Sequence, residues 1–173
     1  SSNVTVSDCI IDTGDDAITF RCASKRLLGG KTACEFVTVS NCVLAGSSSA
    51  FRIGVGTGEI RNINVSNIVI KRAGVAINCM TAYDKKGCAK IENIHFNNIV
   101  AYETSYPFAI NQMNNGYVRN FHISNYTVQA FCRSSISSQD DGAISDVSVW
   151  VLAGFGVNIL RLSFDLFSNL VCA

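Results

Sequence analysis

The chain has 173 residues, a net charge of +1, 16% charged residues and 48% hydrophobic ones. That length suits one domain with a real core, and the balanced charge excludes a basic nucleic-acid binder and a disordered tail. One Pro and 13 Gly exclude collagen-like and Pro-rich linker classes, and no uncharged apolar run reaches the ~18 residues of a membrane span.

The chain opens at Ser1-Ser2-Asn3, inside a strand-like run, with no initiator Met and no signal peptide. It reads as a trimmed product or a piece of something longer. A nine-residue unit then recurs: Asn3 to Ile11, Phe36 to Leu44, Asn62 to Ile70, Asn93 to Ala101 and Asn120 to Val128, with a weaker copy from Asp146. The starts lie 33, 26, 31, 27 and 26 residues apart. Each unit alternates apolar and polar residues, the period of a half-buried strand. Each carries Asn or Asp at one fixed place: Asp8, Asn41, Asn67, Asn98 and Asn125.

A second strand follows most units, at Asp16 to Arg21, Ala50 to Val55, Val75 to Met80 and Phe108 to Met113. No helical period of useful length appears. An all-strand repeat of this length predicts a right-handed parallel β-helix of about five to six coils, each stacked on the next. A propeller blade is longer, and a leucine-rich repeat needs a Leu skeleton that is absent. Stacking puts equivalent residues in columns, so the fixed Asn is expected to bond its copies from a buried turn. The chain then forms one domain, 1–173.

Alternation on the second strand points Ile18 and Phe20, Phe51 and Ile53, Val75 and Ile77, and Phe108 and Ile110 inward. The expected outward columns are Thr19-Arg52-Ala76-Ala109, Arg21-Gly54-Asn78-Asn111 and Asp16-Ser49-Ala73-Tyr106. Asp15 and Asp16 therefore sit at the mouth of a strand, with Arg52 one coil away on the same face. Two adjacent carboxylates repel, which suits acid/base work. The same stretch, Thr13-Gly14-Asp15-Asp16, is also ordinary turn chemistry.

The segment NVTVSDCIIDTGDDAITF, followed by CEFVTVSNCVLAGSSSAFRIGVGTGEIRNINVSNIVI, resembles glycoside hydrolase family 28, the polygalacturonase and rhamnogalacturonase group of pectin-degrading β-helices. The likeness runs from about Ser1 to Gln112. It implies an inverting hydrolase in which Asp15 is the general acid and Asp16 a base. It also implies a polysaccharide partner and no cofactor or metal. The sequence departs from the family pattern in three places. The upstream Asn-Thr-Asp would fall before Ser1. Ser49 stands where a His is expected, at Ser48-Ser49-Ala50. Ala76-Ile77-Asn78 stands where Arg-Ile-Lys is expected. Arg52 is positioned to supply a substitute charge, with Arg21 near it, so a guanidinium can still grip a sugar acid. The substrate-facing set is then Arg52, Arg21, Ser49 and Asn78.

Eight cysteines favour an oxidising setting, so the chain is expected outside the cell or in a periplasm. Cys22 and Cys34 bracket one loop and Cys79 and Cys88 another, and each pair is expected to close as a disulfide. Lys25, Arg26, Lys85 and Lys86 would then overhang the acidic pair and attract acidic polysaccharide. Cys9 and Cys42 share a repeat position and read as a buried stack. His95 and His122 match in position and read as a surface or packing column. Sequons at Asn3, Asn64 and Asn125 arise from the repeat's own Asn-x-Ser/Thr composition.

From about Val147 the sequence turns Leu/Phe-rich and loses the Asn column. The tail 147–173 reads as a C-terminal cap over open strand edges, or as sequence foreign to the fold. Two other functions compete with hydrolysis. One is a non-catalytic glycan-binding or structural β-helix. The other is a polysaccharide lyase, with Arg52 as base and Asp15 and Asp16 on Ca²⁺.

Overall fold

A computed structural model describes residues 1–22, 33–83, 87–140, 143–153, 159–164 and 170–171, with side chains up to residue 150. The described residues are all β, with no helix. The strands are β1 (Ser2–Ser7), β2 (Ile10–Thr13), β3 (Ile18–Phe20), β4 (Cys34–Gly46), β5 (Ser49–Gly54), β6 (Gly58–Met80), β7 (Ala89–Gln112), β8 (Tyr117–Ala130), β9 (Ser135–Ser138), β10 (Ile144–Ala153), β11 (Ile159–Phe164) and β12 (Leu170–Val171). Parallel pairing in the order β1-β4-β6-β7-β8-β10 makes a β-solenoid of about four turns.

Each turn has three walls. The first holds β1 and the leading parts of β4, β6, β7, β8 and β10. The second holds β2 and the continuations of β4, β6, β7 and β8. The third holds β3, β5, the ends of β6 and β7, and β9. The tail closes differently. Its residues Val147–Ala153 belong to the last parallel rung, while β11 runs antiparallel to β10 and β12 antiparallel to β9.

Alternation on the first wall creates inward columns, Val4-Val37-Ile63-Ile94-Phe121-Val147 and Val6-Val39-Val65-Phe96-Ile123-Val149. From Val37 onward these side chains are buried. Burying each one stabilises by about 1.5–3 kcal/mol. Phe51 from the third wall meets Phe96 from the first edge-on at 5.2 Å and ties the two walls across the core.

The fixed Asn column exists, but at an exposed corner rather than a buried turn. Asp8, Asn41, Asn67, Asn98 and Asn125 turn the chain between the first and second walls at φ 57°, 56°, 56°, 56° and 50°. Asn and Asp tolerate that left-handed conformation, which explains the residue choice. The column also bonds as a ladder: Asn41 donates to Asp8 at 3.3 Å, Asn67 to Asn41 at 3.2 Å and Asn98 to Asn67 at 2.9 Å. A second left-handed column precedes the first wall, at Asn3, Phe36, Asn62, Asn93, Asn120 and Asp146. Asn93 donates to Asn62 at 2.9 Å and Asn120 to Asn93 at 2.7 Å. Phe36 interrupts that column at φ 55° and is 55% exposed.

On the outer face of the first wall, Glu35, Arg61, Glu92 and Arg119 follow one another in register. Arg61 bonds Glu35 at 2.9 Å and Glu59 at 2.8 Å. These acceptors, Glu35 first, raise the pKa of Arg61. His95 and His122 are likewise in register, and their rings stack at 5.2 Å, as the sequence suggested.

The disulfide expectation is overturned. Cys22, Cys34, Cys79 and Cys88 are free thiols, as are Cys9, Cys42 and Cys132. Cys22 instead lies against the Val55 carbonyl, its sulfur 3.6 Å from the oxygen. Burial pushes its pKa up to about 11 and raises those of Cys34 and Cys79. Lys25 and Arg26, and Lys85 and Lys86, lie outside the described residues. Cys42 is buried as expected but Cys9 is only half-buried, and each thiol donates to the carbonyl two residues back, at 3.1 Å.

Candidate functional site

Gly14 and Asp15 form a bend between β2 and β3, and strict alternation is suspended there. That is why two consecutive acids, Asp15 and Asp16, line the same cavity. The cavity is open and measures about 370 Å³; Thr19, Arg21, Ser48, Arg52, Val55 and Tyr83 complete it. Thr13 secures the bend by donating its hydroxyl to the Asp15 carbonyl at 2.9 Å.

Asp16 is held at both oxygens. The Ser49 N–H donates to Oδ1 at 3.0 Å, and Arg52 Nε donates to Oδ2 at 3.3 Å. The pair is only partly wetted, with side chains 11% exposed for Arg52 and 18% for Asp16. Arg52 also points Nη1 at the Met80 sulfur, 2.9 Å away, and its guanidinium carbon lies 6.0 Å from the Tyr83 ring centre. A thioether is a weak acceptor and an aromatic face a modest one, so Asp16 is the strong partner.

The structure brings Asp15, Asp16, Arg52 and Arg21 to one cavity. It puts Ser49 and Asn78 elsewhere. Ser49 is fully buried; it serves Asp16 through its backbone, and its hydroxyl accepts from Asn78 Nδ2 at 3.3 Å. Asn78 is 8% exposed, and its Oδ1 accepts no hydrogen bond among the described residues. Neither lines the cavity.

The expected columns hold between β3 and β5 and fail at β6, against both β5 and β7. Arg52 pairs with Asn78, not Ala76; Gly54 pairs with Met80, not Asn78; and Ser49 pairs with Val75, not Ala73. The slip is two residues. Side chains alternate with period two, so such a slip leaves every inward residue inward and is invisible to pattern alone. It is fixed by contact: Gly54, at φ 126°, lies so close to the Met80 carbonyl that a Cβ would meet its oxygen at 1.9 Å. Tyr83, Met80, Thr19, Ser48 and Val55 were not singled out from the sequence as site residues. The corrected register alone would have found Met80.

Compared with protein-family models, curated proteins and solved structures, the chain matches none.

Proposed function

We propose that this chain is a secreted glycoside hydrolase of the polygalacturonase and rhamnogalacturonase type, built on a right-handed parallel β-helix of five to six coils. Its substrate is a pectin-like polysaccharide, galacturonan or rhamnogalacturonan. The observation that carries the reading is the shared cavity, where Asp15 and Asp16 open onto the same space as Arg52 and Arg21.

The chemistry balances with two carboxyl groups. Asp15, as acid, gives its proton to the glycosidic oxygen as the bond to the anomeric carbon breaks. Asp16, as base, takes a proton from the water that attacks that carbon from the opposite face. The Ser49 N–H and Arg52 fix the orientation of Asp16. Arg21 and Arg52 supply the cations that attract a uronate carboxylate.

A non-catalytic glycan-binding module is the second reading. Two observations favour it: both Asp16 oxygens are already engaged, and Asn78 and Met80 rather than cations follow Arg52 and Gly54 in register.

One assay separates the readings. New reducing ends from polygalacturonate or rhamnogalacturonan, without an unsaturated product and abolished by Asp15→Asn or Asp16→Asn, support the hydrolase. An unsaturated product lost on chelation supports a lyase and overturns it. Glycan binding with neither signal, unchanged by the double Asn variant, supports the binding module.

A further inference from the structure

The asparagines of the first wall and its corners divide into two groups. Asn41, Asn67, Asn98, Asn93, Asn120 and Asn97 donate their amides to neighbouring rungs, and Asn62 accepts there through Oδ1. Asn3, Asn64 and Asn125 do not: among the described residues no side-chain hydrogen bond engages them, and all three are exposed. These three, and none of the seven engaged ones, begin an Asn-x-Ser/Thr triplet: Asn3-Val4-Thr5, Asn64-Val65-Ser66 and Asn125-Tyr126-Thr127.

Their placement is also one-sided. Asn3 opens the first wall in β1. Asn64 lies mid-wall in β6, in register between Thr38 and His95. Asn125 turns the corner of β8 between the first and second walls. The cavity of Asp15, Asp16 and Arg52 belongs to the third wall.

We infer that Asn3, Asn64 and Asn125 are N-glycosylation sites, and that their glycans cover the first wall and its corners while leaving the acidic cavity open. The inference rests on the secreted half of the reading above. In the transfer, Asn Nδ2 bonds to the anomeric carbon of a lipid-diphosphate-linked oligosaccharide. The carbon–oxygen bond to diphosphate breaks, the lipid diphosphate leaves, and the amide gives up one proton. A bulky substituent on an engaged amide would crowd the side chain it meets on the next rung; on these three amides it displaces only solvent.

The test expresses the full chain behind a secretory leader in a eukaryotic host and reads intact mass before and after glycan-removing amidase in heavy-oxygen water. The expected result is a mass above that of the polypeptide which collapses on treatment, with Asn converted to labelled Asp at 3, 64 and 125. Thr5→Ala, Ser66→Ala and Thr127→Ala should each remove one glycan without touching an asparagine. Asn98→Gln should lower stability and leave the glycan count unchanged. A secreted chain at bare polypeptide mass overturns the inference, and an unlabelled residue overturns it for that position. The leader supplies translocation and no hydrolysis is read, so failure of the hydrolase reading leaves this result intact.

Discussion

Arg52 Nε and Asp16 Oδ2 meet at 3.3 Å although 36 residues separate them, because one turn of the solenoid brings the coil carrying Arg52 beside the coil carrying Asp16. Removing the carboxylate charge tests what the pair is for. Asp16→Asn and Asp15→Asn should each lower polysaccharide hydrolysis by about 10²–10⁴-fold. Arg52→Ala should also cost about 1–3 kcal/mol of stability, because it leaves a partly buried carboxylate with one partner fewer. Reducing-end assays and thermal melts check both.

Phe36 occupies a left-handed corner that its neighbouring rungs fill with Asn3 and Asn62. Phe36→Asn should therefore stabilise the fold by about 1 kcal/mol, since a non-glycine aromatic in that conformation carries steric strain. The new amide also stands beside Asn62, one rung on. For a chain of this size that gain raises Tm by about 2–4 °C.

Gly54 and Gly14 make a paired test. Gly54→Ala drives a methyl group into the Met80 carbonyl at a positive φ, whereas a Cβ on Gly14 meets nothing within 4 Å. The first should cost about 1–3 kcal/mol or more and disturb Arg52 two residues away. The second should leave the melting curve near that of the parent.

Burial, and then the stacked ring of His122, lower the pKa of His95; Asp146 opposes them weakly. The folded state therefore resists protonating His95, while the unfolded chain takes the proton near pH ~6.5. Stability should be full above that pH and fall as pH drops from it toward the lowered folded value. His95→Gln should flatten the Tm profile between neutral and mildly acidic pH.

The described thiols are free, so a reductant should break no bond among them and leave Tm unchanged on their account. Exposed Cys132 should alkylate in the native state, whereas Cys42 and Cys79, both fully buried, should react only after unfolding.

The parallel solenoid was legible in the sequence because its cause is repetitive. A fixed Asn every coil marks a left-handed corner, and period-two runs mark the walls between corners. The meeting of Asp16 with Arg52 followed from the same count. Three things were not legible. The slip of β5 against β6 preserves alternation, so composition cannot see it, and it moved Asn78 under Arg52 and Met80 beside it. The bracketing cysteines suggested bridges, but loop spacing carries no information on whether two sulfurs come within bonding distance. The Asn and Asp column was expected at a buried turn because its members can bond their copies one coil away, yet the choice of residue follows from backbone conformation, and the side chains face solvent.

The column of Glu35, Arg61, Glu92 and Arg119 alternates in sign from one coil to the next. Like charges directly opposite one another on adjacent strands are destabilising. Duplicating or deleting a single coil within this stretch would set acid against acid or base against base. Two coils at once would keep the alternation. The solenoid thus carries a parity rule, under which it lengthens or shortens most cheaply by even steps.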